Sequence, residues 1–296
     1  MAGSFDSLTS AQQQLLEQAQ GFAYRKTKSG EELKIHFYLP KGLKEGPKRP
    51  VFLFFFSGNW DRGNIVQFAP HALHFVERGA VCGLVEYSTR TTHPESTPMD
   101  SALDGMAAVR FVRKYKDQLH IDSSKVIVMG AGAGGNIAGC AALGAKLKDA
   151  SEDLAGFSSV PNACALLSSI IDIKKTSFAF KQFSDKPSEA KKLSLSSMVD
   201  HSPPCPFVMI HGTADRMTSI DDAEAFAAKM QRRKKSDFEF HAFEGRDSNF
   251  YNLNMDPMSF EAALNIIDRF LVNHLFLEMN DDPNGASLVS WREQDF

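Results

Sequence analysis

The chain has 296 residues, 43% of them hydrophobic, and a formal net charge of -3. That is enough apolar material for one large α/β domain, a class that often runs to about 250 residues, and no Pro-, Gly- or Ser-rich linker divides it. Its scattered basic residues exclude the electrostatic footprint of nucleic-acid binding, and no apolar run approaches the ~20 residues of a membrane span.

The small basic clusters at 41–48 and 231–235 read as solvated surface. Met1 to Gly30 has neither the charged n-region nor the long apolar core of a signal peptide. Cys82, Cys140, Cys164 and Cys205 lie in apolar or small-residue contexts without C-x-x-C spacing, which reads as buried thiols in a reducing compartment. A soluble cytoplasmic protein with no metal site and no cofactor is expected, with self-association left open.

In chain order, residues 1–20 read as an N-terminal helical extension, its helix from Ser7 to Gln20. A domain over 21–279 follows. Gly21 to Lys28 and Glu32 to Leu39 alternate around Lys-Ser-Gly as an antiparallel hairpin would. Pro50 to Phe56 is an unbroken apolar run, the signature of a central strand buried on both faces. Helical spacing follows over Ile65 to Gly79, then a strand at Val81 to Val85 and a strong helix from Asp100 to Leu119.

Val126 to Met129 feeds a glycine-rich turn, followed by a small-residue helix over Asn136 to Leu147 and a strand at Ala163 to Leu167. The poorly patterned stretch about 174–200 reads as a cap-like insertion. Pro206 to His211 and Phe238 to Phe243 are further strands, separated by a helix at Ile220 to Gln231. Pro257 to Leu275 is a closing helix, and 280–296 is a polar tail. Regular alternation of strand and helix predicts an α/β fold, a mostly parallel doubly wound sheet with helices on both faces.

The glycine turn fits two motifs. Gly130, Gly132 and Gly135 satisfy the dinucleotide fingerprint G-x-G-x-x-G, whose glycines let the backbone approach a pyrophosphate. Gly130 and Gly134 also fit the flanking glycines of a nucleophile elbow, G-x-S-x-G, with Gly132 in the serine position. The fingerprint expects an acid ending the next strand about 20 residues on. Glu152 and Asp153 stand at that distance but in a loop, and several strands precede the turn.

Three further stretches favour the elbow. Phe56-Ser-Gly-Asn-Trp60 stands where an HGG(G/A)W oxyanion loop would be. Ile210-His-Gly-Thr-Ala-Asp215 looks like a segment carrying a triad acid, and Phe243-Glu-Gly-Arg-Asp-Ser-Asn-Phe250 is similar to an F-x-G-x-x-H-x-F histidine segment. With these four in order, the chain resembles the α/β-hydrolase superfamily from about Tyr24 to Leu275. The likeness is to its esterase/lipase branch of acetyl-esterases, carboxylesterases and kynurenine-formamidase-like enzymes.

Carried over residue by residue, the resemblance puts the nucleophile at Gly132, the acid at Asp215 and the base at Ser248, so only the acid is retained. Glycine cannot form an acyl-enzyme, and a serine hydroxyl cannot replace imidazole as a base at neutral pH. The oxyanion loop has changed as well, with Ser57 in the histidine position, Asn59 in a glycine position and one glycine missing.

Ser57, Gly58, Asn59, Trp60 and Ala133 are the expected ligand-pocket and oxyanion residues. A non-hydrolytic α/β-hydrolase-fold protein, a pseudoenzyme with a degenerate triad, is therefore expected to bind a small molecule through a carbonyl or carboxylate group. The alternatives are a non-covalent lyase, cyclase or isomerase using the same pocket, and an ester hydrolase with a relocated catalytic group. In each case the loops at 57–60 and 246–250 are expected to meet beside Gly132.

Overall fold

The structure, a computed structural model, describes residues 8–144, 147, 154–199, 205–233 and 237–279. Of the sequence-based expectations, residues 1–7 of the N-terminal extension, the polar tail 280–296, Glu152, Asp153, Lys234 and Lys235 lie outside the described residues.

The strands are β1 (Gln20–Lys26), β2 (Glu32–Tyr38), β3 (Arg49–Phe55), β4 (Val81–Val85), β5 (Ile121–Ala131), β6 (Ala163–Ser169), β7 (Phe207–Gly212) and β8 (Phe238–Phe243). They form one sheet in the order β1-β2-β4-β3-β5-β6-β7-β8. The β1–β2 hairpin is antiparallel, β2 joins β4 antiparallel, and every pair from β4 through β3 to β8 is parallel. The helices are α1 (Ser10–Glu17), α2 (Ala69–Glu77), α3 (Pro98–Lys114), α4 (Gly132–Leu143), α5 (Pro187–Leu193), α6 (Leu195–Met198), α7 (Ile220–Gln231) and α8 (Pro257–Asn273). This is the α/β-hydrolase fold, and no helix among the described residues is long and apolar enough to cross a membrane.

Strand β3 lies between β4 and β5 and is buried from Val51 onward, which is why its sequence does not alternate. Phe52 stacks on Phe75 of α2 at 4.3 Å between centroids, and Phe54 packs against Phe68 at 5.8 Å. Each such ring contributes roughly 1.5–3 kcal/mol by burial. The packing fixes the end of β3, where the next loop begins.

Helix boundaries differ from the sequence reading for identifiable reasons. α3 starts at Pro98, because Thr97 and Asp100 form a capping box, with the Thr97 N–H donating to Asp100 Oδ2 at 2.8 Å. It stops at Lys114, where Tyr115 caps the helix and a turn closes through Ile121 N–H to the Lys116 carbonyl. α4 starts four residues before the expected Asn136, directly at the glycine turn. There it packs close to the sheet: a Cβ at Gly134 would lie 2.1 Å from the Phe55 carbonyl oxygen, and one at Gly130 would lie 2.3 Å from the Gly134 carbonyl oxygen.

Buried Asp104 of α3 ties the site's supports together. It pairs with Arg25 of β1 at 2.9 Å and accepts the Ser88 N–H at 2.9 Å. The loop after Ser88 then holds the loop after β3, with Arg90 N–H donating to the Trp60 carbonyl at 3.0 Å and Thr91 N–H to the Asp61 carbonyl at 2.8 Å. Burial pushes the Asp104 carboxyl up to about 6, against the opposing pull of Arg25 and the Ser88 hydrogen bonds.

Two measurements check these supports. Gly134→Ala should cost about 3 kcal/mol in urea unfolding by overpacking, against about 1 kcal/mol for Gly132→Ala, where only left-handed backbone is strained; the reverse order would contradict the packing. A carboxyl whose folded pKa is raised stabilises fully below its unfolded value, near pH 4, and loses that contribution as pH rises through about 6. Wild-type stability should therefore shed on the order of 2–3 kcal/mol of this term between pH 4 and 7, and the corresponding slope should be missing from Asp104→Asn.

Candidate functional site

The site is built where β5 ends. Gly132 has φ 53°, the left-handed conformation, at the apex of a sharp strand–turn–helix, and α4 starts there. Gly130 and Gly134 flank it with no room for a side chain, whereas a Cβ at Gly132 would meet only Ser57, at 3.2 Å from its Cβ. Glycine is thus sterically obligatory at the flanks and conformationally favoured at the apex. The first-turn amides of α4 have no acceptors within the helix and carry its positive end.

The loop after β3 faces this turn. Gly58 has φ 139°, and a Cβ there would lie 1.7 Å from the Arg62 carbonyl oxygen; Asn59 and Trp60 follow with φ 54° and 58°. The Ser57 N–H donates to Gln67 Oε1 at 2.7 Å. Gln67 Nε2 faces Ser57 Oγ at 3.0 Å, Asn252 Oδ1 at 3.2 Å and the Tyr251 hydroxyl at 3.3 Å. Burial raises the Tyr251 phenol above its ordinary range, so it stays a neutral hydrogen-bonding group.

A pocket of about 490 Å³ opens over these elements, and Ser57, Gly58, Asn59, Gly132, Ala133 and Ser248 all contribute to its lining. The loops after β3 and β8 therefore meet beside the glycine turn. The poorly patterned stretch supplies one wall through Phe178, Lys181 and Gln182, and half-exposed Phe178 accounts for part of its apolar face. The volume falls within the range of small-molecule sites.

Trp60 is a correction to the sequence reading. Expected in the pocket, it is 1% exposed, packs edge-on against Phe183 at 5.5 Å and is absent from the lining, because the chain turns through two left-handed residues and seats the indole inside. Asp61 and Arg62 contact each other at 3.5 Å at the rim. Arg246 is drawn to Asp256 at 3.2 Å.

Asp215 is also outside that lining. Its Oδ1 accepts the Met217 and Thr218 N–H groups at 2.8 and 2.9 Å, and its Oδ2 accepts the Thr218 hydroxyl. The carboxylate therefore caps its own turn, and no ion pair with Arg216 forms among the described contacts. The Thr218 oxygen lies 3.2 Å from His211 Nε2. Burial lowers the pKa of His211, with Thr218 and Asp215 acting in the other direction, so it is a neutral interior imidazole. His93 lies 3.4 Å from Glu31, away from the pocket.

Ser168, Thr218, Lys181 and Tyr251 also line the pocket and were missed by sequence reasoning. Ser168 alone had a signal: it ends an apolar strand on the edge where open α/β sheets bind ligands. The others depend on tertiary placement. Among the described residues no imidazole lines the pocket, and Asp61, Lys181 and Tyr251 are its ionisable groups.

A model of the BD-FAE family matches residues 35–230. The fold is similar to native esterase 2 of Thermogutta terrifontis, with a TM-score of 0.84 and 26% identity, covering 95% of this chain and 99% of that one. Two further forms of that esterase match at 27% identity over 90% of this chain and 97% of theirs: one propionate-bound, with a TM-score of 0.82, and one phosphorylated by paraoxon, with a TM-score of 0.81. A probable isoprenylcysteine alpha-carbonyl methylesterase, ICMEL1 of Arabidopsis thaliana, is 24% identical over 67% of this chain and 45% of its own length. The carboxylesterase NlhH of Mycobacterium tuberculosis is 30% identical over 36% of this chain and 32% of its own length. The chain spans less than half the length of these two relatives.

The geometry of Asp215 makes a prediction. Asp215→Ala leaves two amides and one hydroxyl without their acceptor and should destabilise the protein by about 2 kcal/mol or more in denaturant unfolding. Asp215→Asn, which keeps one acceptor oxygen, should lose less. Unchanged stability in the alanine variant would contradict a turn-capping carboxylate.

Proposed function

The chain belongs to the BD-FAE family, in the esterase/lipase branch of the α/β hydrolases, and we propose that it binds a small molecule through a carbonyl or carboxylate group without forming a serine acyl-enzyme. Gly132 carries this reading. The apex of a turn of nucleophile-elbow shape holds the residue type that relaxes its backbone and provides no nucleophile.

The rest of the pocket supports it. The first-turn amides of α4, the Ser57 hydroxyl and Lys181 supply donors and positive potential suited to an acyl oxygen or carboxylate. Ser248 occupies the place assigned to the base, and Asp215 is engaged by its own turn, so the protein is a pseudoenzyme with respect to triad hydrolysis. The segment at 174–200 serves as a cap whose described part walls the pocket. Four free, buried cysteines favour a cytoplasmic location.

A second reading rests on Tyr251. A buried neutral phenol in the lining, linked to Ser57 through Gln67, suits protonation of an enolate in a lyase or isomerase reaction. Turnover of a ligand recovered from the protein would favour this reading over simple binding.

The test is to remove and then rebuild the chemistry. Wild type should show no turnover of p-nitrophenyl butyrate above a heat-killed control. Gly132→Ser alone should stay inert, since a general base typically supplies about 10²–10⁴-fold. Combined with Ser248→His it should gain slow esterase activity and react with a fluorophosphonate at position 132, limited by the altered oxyanion loop, where one donor is worth about 10²–10³-fold. Purified wild type that hydrolyses the ester would overturn the proposal, and a folded double variant inert to the probe would overturn the assignment of position 248.

A further inference from the structure

Among the described residues, Phe178 and Met217 are the exposed large apolar side chains that line the pocket, at 52% and 48% exposure. An exposed apolar group standing alone carries little information. These two come from different segments of the chain and meet, with buried Ile170, on one concave surface. Apolar surface left open to water in such a place marks a binding groove.

Both side chains are held there by an anchored backbone. The Met217 N–H donates to Asp215 Oδ1 at 2.8 Å. Next to Phe178, the Ser177 N–H and hydroxyl both donate to the Lys174 carbonyl, at 2.9 and 2.7 Å, and Lys174 pairs with Asp222 of α7. On its other side, Phe183 packs edge-on against Trp60, so the segment is fastened at both ends. A second cavity of about 500 Å³ shares Ile170, Phe178, Met217 and Thr218 with the pocket. The exposed pair therefore stands where the two cavities join.

We infer that the ligand is an amphiphile, an alkyl-chain carboxylate or acyl compound, with its carboxyl or carbonyl at the first turn of α4 and its chain between Phe178 and Met217. This rests on the carbonyl- or carboxylate-binding reading given above and adds the apolar part of the ligand. Strand β7, which leads into the Met217 turn, stands two strands from β5, about 10 Å at the usual spacing. A four-carbon acid seated at α4 ends short of that distance, and an eight-carbon acid covers it. Phe178 and Met217 are thereby specificity-determining residues.

Calorimetric titration of the full chain with butyrate, octanoate and octan-1-ol tests this. Octanoate should bind at least about tenfold more tightly than butyrate, against roughly fourfold for each methylene fully removed from water. Phe178→Ser and Met217→Ser should each cut that preference by about threefold or more. Because both side chains are half in water, neither change should lower the melting temperature of the free protein. Equal affinities for the two acids in wild type, or a preference unmoved in both variants, would overturn the inference and leave the carboxylate-binding reading standing. Octan-1-ol binding as tightly as octanoate would overturn that reading and leave the apolar contact standing. Binding of none of the three would overturn both.

Discussion

The first turn of α4 lies so close to the ends of β3 and β5 that no side chain fits between them. Carbonyl oxygens of Phe55 and Phe56 occupy the space of a Cβ at Gly134, and the Ser169 hydroxyl occupies that of a Cβ at Gly135. Everything else in the site is placed relative to this contact. It sets the left-handed apex at Gly132, brings Ser57 to within van der Waals reach of that apex, and aims the positive end of the helix into the pocket. On the proposed reading, a chain that keeps the flanking glycines but carries glycine at the apex keeps the shape of the turn without a nucleophile there.

Retained and altered residues then fall into one pattern. Asp215 is bound by the amides and hydroxyl of its own turn, and through Thr218 it reaches the Ser168 carbonyl. Ser57 is fixed by Gln67 from both its amide and its hydroxyl, and Gln67 in turn meets Tyr251 and Asn252.

Much of the fold was legible in the sequence because the strongest signals are local. The unbroken apolar run at 50–56 reads as a doubly buried strand, and the Lys-Ser-Gly hairpin and the glycine turn have their own turn chemistry. Order along the chain then brought the loops at 57–60 and 246–250 to the glycine turn. Asp215 and Thr218, three residues apart, form a side-chain-to-backbone turn of a kind readable from spacing, yet the family resemblance drew attention to a distant partner instead. Trp60 was misplaced because two successive left-handed residues, neither of them glycine, have no sequence signature. Tyr251 enters the pocket only through the return of the chain after β8, which no local pattern encodes.

Esterase 2 of Thermogutta terrifontis, similar over almost its whole length, is phosphorylated by paraoxon. Intact mass spectrometry of this chain after incubation with paraoxon tests the central claim most directly, since the reagent reports an activated nucleophile wherever in the pocket it lies. An unchanged mass is predicted, because Gly132 offers no atom to phosphorylate and, among the described residues, no imidazole lines the pocket. One added diethyl phosphoryl group per chain, blocked by a competing short-chain acid, would contradict the account.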